Sequence, residues 1–134
     1  MAIRTGYYPV TERFLKFSTA GDLQWSVKLE LQPVDESEPL LMSPALDGGC
    51  FFAYNEYEAA GATMTMGRLS SQGELLWMKS LEYTNNIIYM NLNDLITSQD
   101  NEPITIGGLG GFGLAYGYLL KASPEGTAFD GHFY

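Results

Sequence analysis

Residues 16–25 read KFSTAGDLQW, and residues 68–77 read RLSSQGELLW. The two stretches share a basic residue, a serine, a glycine, a leucine and a tryptophan at the same spacing. The first part of the pattern, basic-x-Ser-x-x-Gly, returns without the tryptophan as KASPEG in residues 121–126. The glycines Gly21, Gly73 and Gly126 are 52 and 53 positions apart. Because a fixed period is the signature of a repeat architecture, we infer that one structural unit recurs along the chain.

Each copy of this pattern predicts a β-hairpin. Serine at the start of a turn bonds to nearby backbone, and glycine near its end accepts a positive φ. After Gly21 the apolar residues Leu23, Trp25, Val27 and Leu29 alternate with polar ones. This period of two predicts a strand with one buried face.

The remaining apolar runs extend the same prediction to an all-β fold of antiparallel, four-stranded repeats. Strands are predicted near residues 13–17, 22–30, 40–46, 50–55, 63–69, 74–82, 87–97, 102–107, 114–122 and 127–134. The polar stretch 32–39 predicts a loop, and the glycine-rich stretch 107–117 predicts a loop or a strand edge. We expect one domain over 1–134, with repeat units at about 13–62 and 63–113 and a partial unit at 114–134. Leu76 and Met78 lie opposite Trp77 in the alternation, so the strand near 74–82 is expected to be covered on both sides.

The repeat resembles the blade repeats of bacterial β-propeller proteins, which also occur in structural proteins of bacteriophages. In that family the turn often carries Asp where this chain has Ser18, Ser70 and Ser123. The resemblance implies about two and a half β-propeller-like blades. A closed propeller needs roughly four to eight blades. We therefore expect either an open fold completed by oligomerisation, which we favour, a compact sandwich, or a fragment.

Composition excludes several partners. The chain has 7 Lys and Arg against 16 Asp and Glu, for a net charge of −9. An acidic surface repels phosphate backbones and anionic lipids, so we expect no binding to nucleic acid. Since no apolar run is long enough to span a bilayer, no membrane insertion is expected. Residues 1–13 lack the apolar core of a signal peptide, so we predict a protein that is not Sec-exported and resides in a virion or the cytoplasm.

Catalytic chemistry has few candidates in the sequence. His132 is the only histidine, so any Ser-His-Asp or Cys-His site would have to use it. Cys50 is the only cysteine, and we interpret it as a buried apolar side chain. We predict no catalytic residue, no metal site and no cofactor. The sequence pattern does not indicate which residues would form a ligand-binding site.

The other polar and aromatic groups are given structural interpretations. The carboxylates of Asp35, Glu36, Glu38, Glu56 and Glu58 are expected in solvated loops. We interpret Asp47-Gly48-Gly49 and Asp100-Asn101 as hairpin turns. The glycines of residues 107–113 lack the following helix of a dinucleotide site, so close backbone approach or a flexible loop is expected. Trp25 and Trp77 are expected to pack in the core. Loop tyrosines at positions 54, 57, 83 and 89 are the candidates for stacking on a sugar or a partner.

These observations lead to three function hypotheses. The first is a non-catalytic structural or interaction subunit that assembles through the edges of its β-repeats, as a bacteriophage tail, fibre or decoration component. Its partners would be further copies of the chain or other structural proteins. The second is a carbohydrate-binding, lectin-like module with a glycan partner. The third is an enzyme with a pocket that contains His132 beside a carboxylate.

Overall fold

The computed structural model describes residues 2–5, 10–31, 40–56, 62–83, 89–111 and 113–134. These residues form β-strands joined by tight turns, and no helix is present in the described ranges. The strands are β1 Ala2–Thr5, β2 Val10–Phe17, β3 Leu23–Leu31, β4 Leu41–Pro44, β5 Cys50–Glu56, β6 Ala62–Leu69, β7 Leu75–Tyr83, β8 Tyr89–Thr97, β9 Pro103–Gly111, β10 Leu114–Ala122 and β11 Phe129–Phe133.

The strands belong to three sheets, each of which follows the order of the chain. The first sheet has the order β1-β2-β3, the second β4-β5-β6-β7, and the third β8-β9-β10-β11. Every pairing is antiparallel. The predicted all-β class with antiparallel, four-stranded units is therefore confirmed, although the first sheet has three described strands.

The sheets are stacked face to face, with the second sheet in the middle. One apolar cluster joins the first and second sheets, and it includes Phe14 from β2 and Phe52 from β5. A second cluster joins the second and third sheets, and it includes Phe51 from β5 and Leu95 from β8. Adjacent residues of β5 therefore pack on opposite neighbours, which explains its continuous apolar sequence.

The strand predictions agree with the structure except at a few places. Strand β1 was not predicted, because its sequence AIRT is short and carries no alternation. The glycine-rich stretch lies within β9 and the start of β10 rather than in a long loop. Leu76 is 50% exposed and Met78 is 36% exposed, so the prediction that this strand is covered on both sides is wrong. Strand β7 is the edge of its sheet, where a neighbouring sheet gives little cover. The predicted loop 32–39 lies outside the described residues.

Candidate functional site

The serine-glycine turns at Ser18 and Ser70 have one geometry, and the turn at Ser123 is one residue longer. In the turn at Ser70, the amide of Ser70 donates to the carbonyl of Glu74 at 2.8 Å, and the amide of Gly73 donates to the carbonyl of Ser70 at 3.1 Å. The hydroxyl of Ser70 accepts from the amides of Gln72 and Glu74. Gly73 has a φ of 85°, which favours glycine. The predicted role of both residues is confirmed.

The two tryptophans link one sheet to the turn of the next. The indole Nε1 of Trp25 in β3 donates to the carbonyl of Ser71 at 2.8 Å. The indole Nε1 of Trp77 in β7 donates to the carbonyl of Pro124, also at 2.8 Å. Ser71 and Pro124 occupy the same position in their turns. The tryptophans are partly buried against the two clusters, so core packing is confirmed and a donor role is added.

A basic residue lies opposite each tryptophan and donates a hydrogen bond to a turn carbonyl of the next sheet. Lys16 pairs with Trp25 across the ladder, and its Nζ donates to the carbonyl of Gly48 at 2.7 Å. Arg68 pairs with Trp77, and it donates to the carbonyl of Pro124 at 2.7 Å. We call each tryptophan with its basic partner and the turn that receives them a latch. The repeated motif thus encodes a contact between sheets as well as a turn.

The glycine of each receiving turn makes room for the indole. A Cβ on Gly73 would lie 2.9 Å from the ring of Trp25, and a Cβ on Gly126 would lie 2.5 Å from the ring of Trp77. A Cβ on Gly21 would have no atom within 4 Å. The turn of the first sheet therefore has the receiving shape, but no described tryptophan occupies it.

The third sheet carries a different residue at the latch position. Asp130 lies opposite Lys121, where the other two sheets have tryptophan opposite a basic residue. Lys121 instead forms an ion pair with Glu102 at 3.3 Å. Phe129 turns back toward the second sheet and meets the ring of Trp77 edge-on, with centroids 6.4 Å apart.

The outward face of the third sheet carries isoleucines of β8 and β9 beside the charged groups of Lys121 and Asp130. Ile104 lies opposite Lys121, and Ile106 lies opposite Leu119, so all four side chains share the face that points away from the second sheet. Ile106 is 40% exposed, and Ile96, beside Ile104 on the same face, is 43% exposed. No described residue covers this face.

A cleft of about 600 Å³ lies between the first and second sheets. Lys16 and Trp25 line it from the first sheet, and Leu40, Met42 and Cys50 line it from the second. Cys50 is buried, as predicted, and this burial raises the pKa of its thiol to about 11. The cleft is therefore mainly apolar, with one ammonium group at its side.

The predicted hairpin turns are confirmed, and they also contact each other. In the turn at Asp47, the side chain accepts from the amide of Gly49 and pairs with Arg68 at 2.7 Å. The hydrogen bond that the backbone amide of Gly49 donates, together with the guanidinium of Arg68, lowers the pKa of Asp47. Asn101, with a φ of 61°, accepts from the amide of Leu46 through its side chain at 2.7 Å. Asn101 thereby ties the first turn of the third sheet to that of the second.

The remaining candidates are separated in the structure. His132 lies 3.3 Å from Asp130 on the edge strand β11, and both side chains are more than half exposed. Glu56 accepts hydrogen bonds from Thr65 and Ser80, so it is held on the sheet rather than in a loop. The carboxylates at 35, 36, 38 and 58 lie outside the described residues. Within the described ranges, no group of three His, Cys, Asp or Glu residues could hold a metal ion.

The tyrosine and glycine candidates have mixed outcomes. Tyr54 is fully buried in the first cluster, so its predicted place in a loop is wrong. Tyr89 is 47% exposed, and its ring covers Gly110, where a Cβ would collide with it. Close approach in the glycine-rich stretch is therefore confirmed. The side chains of residues 57 and 83 lie outside the described set, and sugar binding stays a prediction.

Comparison with known proteins does not assign the chain to a family. No family model matches the chain, and no curated protein matches it. In the part of the chain that the structure describes, no helix has the length and apolarity that crossing a membrane requires.

Proposed function

We propose that the chain is a non-catalytic structural subunit that assembles head to tail with a second copy of itself. The observation that supports this proposal is the latch, which is used twice within the chain and left half complete at Gly21. A contact of the same kind between chains would place the outward face of the third sheet on the outward face of the first. Such a contact is heterologous, so it can close into a ring.

The number of sheets favours two copies. Each chain contributes three stacked sheets, which we interpret as β-propeller-like blades. Closed propellers contain roughly four to eight blades. Two chains supply six, whereas one supplies too few and three supply too many. Ring closure would also cover Ile96 and Ile106, and exposed isoleucines grouped on one sheet face favour an interaction surface.

The third sheet has Asp130 where the other two sheets have the latch tryptophan. The proposed contact between chains is therefore weaker than the contacts within one chain. Lys121 remains in the position from which Lys16 and Arg68 reach the next turn. The isoleucines of β8 and β9 supply the apolar area. We therefore expect a dimer that dissociates without unfolding when this face is altered.

The mass of the native assembly tests this proposal. Sedimentation analysis is expected to give twice the chain mass of 14.8 kDa. Replacement of Ile106 by Asp is expected to give a folded monomer, because a charge would be buried at the interface. Leu76→Asp is the matched control, since Leu76 is exposed on β7 away from this face. A wild-type monomer, or an I106D variant that remains dimeric, would overturn the proposal.

The setting that we propose is a bacteriophage virion, as a tail, fibre or decoration component. This part of the proposal rests on the resemblance of the repeat to those of phage structural proteins. An antibody raised against the chain is expected to label particles purified from the source. Label found only in the particle-free fraction would count against a virion role.

A further inference from the structure

A cavity of about 150 Å³ lies between the second and third sheets, and it shares no lining residue with the cleft between the first and second. Met64 of β6 and Leu81 of β7 line it from the second sheet. Tyr118 of β10 and Phe133 of β11 line it from the third. Since Phe133 is 51% exposed, the cavity reaches solvent beside this ring. The other lining residues are Glu82, Met90, Leu109, Leu119, Leu120 and Gly131.

The lining of this cavity suits an apolar molecule better than water. Met64, Leu109 and Tyr118 are almost fully buried. The hydroxyl of Tyr118 donates to the sulfur of Met64 at 3.8 Å, so this polar group already has a partner. Among the lining residues given above, only Glu82 carries a charge, and it is exposed. Because a buried water needs several polar partners, the cavity favours an apolar occupant.

The cavity occurs where the third sheet departs from the pattern of the second. The ladder registers give three positions at which an apolar or aromatic residue replaces a smaller or charged polar one: Leu109 for Glu56, Tyr118 for Thr65, and Phe133 for Ser80. In the second sheet, the hydroxyls of Thr65 and Ser80 donate to the carboxylate of Glu56. The third sheet has an apolar side chain in place of that carboxylate, and Gly131 in place of Met78. These replacements leave an apolar space bordered by two rings.

We propose that this cavity binds a small, uncharged aromatic molecule of one ring. A dry apolar cavity of this volume is large enough for benzene. Thioether sulfurs make favourable contacts with aromatic rings, and Met64 and Met90 supply two of them. The rings of Tyr118 and Phe133 offer edge-to-face contacts in addition. A charged aromatic molecule would lose its hydration without gaining an ionic partner, so the site selects against it.

Titration with benzene tests the site on the unaltered chain. With isotope-labelled methionine methyl groups, the signals of Met64 and Met90 are expected to shift and then saturate, because a bound ring changes the magnetic field at the methyl groups that it touches. Met42 and Met78 lie outside the lining, so their signals are internal controls. Cyclohexane has as many carbons but no aromatic ring, and it is expected to bind about fivefold or more weakly. No saturable shift with benzene, or equal affinity for cyclohexane, would overturn the proposal.

A pair of glycine variants tests the position of the site. Gly131 has no positive φ, and the nearest atom that a Cβ there would meet is the end of the Leu120 side chain, at 3.5 Å. Gly131→Leu is therefore expected to fill the cavity and to weaken benzene binding by about tenfold or more. Gly117→Leu is the matched control on β10, because a Cβ on Gly117 has no atom within 4 Å and Gly117 lies outside the lining. Equal binding by the two folded variants would contradict the proposed position. The titration of the unaltered chain decides the matter even if G131L unfolds.

This site and the proposed ring fail independently. The methionine signals report on the cavity, whereas the mass of the native assembly reports on the ring. A dimer whose signals do not respond to benzene would remove the cavity site alone, and a monomer whose signals respond would remove the ring alone.

Discussion

Trp77 makes two kinds of contact, which have different physical origins. Its ring packs over Gly126 and against Phe51 and Phe129, and its indole N–H donates to the carbonyl of Pro124. Trp25 repeats the packing over a glycine and the hydrogen bond to a turn carbonyl one sheet earlier. Each tryptophan is therefore a packing residue and a directional link at once.

The hydrogen bond and the packing of the indole can be tested together. Trp77→Phe removes the N–H and the second ring of the indole, so we expect a loss of more than about 1 kcal/mol in the free energy of unfolding. Trp25→Phe is expected to lose a similar amount. Chemical denaturation of both variants measures the effect, and two unchanged midpoints would refute the donor role.

A second residue-scale prediction compares two glycines that have the same conformation. Gly21→Ala and Gly73→Ala both force alanine into a positive φ, which costs about 1–2 kcal/mol. Only Gly73→Ala also drives a Cβ against the indole of Trp25. Overpacking typically adds about 1–3 kcal/mol, so Gly73→Ala is expected to be the more destabilising change. Equal destabilisation of the unassembled chain in denaturation experiments would contradict the latch geometry.

The thiol of Cys50 provides a third prediction. Burial raises its pKa to about 11 from the usual value of 9.0. Since the thiolate is the reactive form, ionisation alone predicts about 100-fold slower alkylation at pH 8.5 than in the unfolded chain. Mass spectrometry after iodoacetamide treatment measures both rates. Rapid labelling of the folded chain would show that the cleft is open to reagent at this residue.

At the scale of elements, the turn between β4 and β5 joins several parts of the second and third sheets. Asp47 forms an ion pair with Arg68, while the backbone amide of Leu46 donates to the side-chain oxygen of Asn101 in the third sheet. The turn is therefore held by charge on one side and by a side-chain amide on the other.

The hydrogen bond from the amide of Gly49 to Asp47, together with the ion pair with Arg68, makes stability depend on acid pH. The pKa of Asp47 is lowered in the folded state, so its contribution is present above the ordinary value of 3.8 and is lost as pH falls through the folded pKa. Asp47 is about half exposed, so the effect is expected to be below about 1 kcal/mol. Thermal unfolding from pH 5 to pH 2 is expected to show a steeper loss of stability for the wild type than for Asp47→Asn. If the stability of the wild type and of the Asp47→Asn variant fell equally with pH, Asp47 would not contribute to the pH dependence.

The sequence predicts most strands because alternation and turn residues are local signals. The alternating run from Leu23 to Leu29 and the Ser-x-x-Gly turns needed no tertiary information. Strand β1 could not be predicted, because four residues give too short a pattern. The glycines of β9 gave no strand signal either, since their role depends on rings such as Tyr89 packing over them.

The sequence identifies the tryptophans of the latch but not the carbonyls that accept their hydrogen bonds. Two tryptophans in register indicate equivalent surroundings, but they do not identify the acceptor. The carbonyls of Ser71 and Pro124 are 46 and 47 residues away and belong to another sheet. The ordering of the sheets, which the sequence pattern does not contain, brings donor and acceptor together.

At the scale of the whole molecule, the three sheets have unequal surroundings. The second sheet is covered on both faces, and the outer two each cover one of its faces. In the described residues, the receiving turn of the first sheet has no tryptophan over Gly21, and the third sheet leaves Ile96 and Ile106 exposed. The proposed contact between chains would bring the isoleucines of the third sheet against the first sheet, without the tryptophan that the two contacts inside the chain use.

The native mass tests this central claim most directly. Sedimentation equilibrium at micromolar concentration is expected to give a dimer of the 14.8 kDa chain, converted to a folded monomer by Ile106→Asp and unaffected by Leu76→Asp. A wild-type chain that sediments as a folded monomer at every concentration would contradict the account.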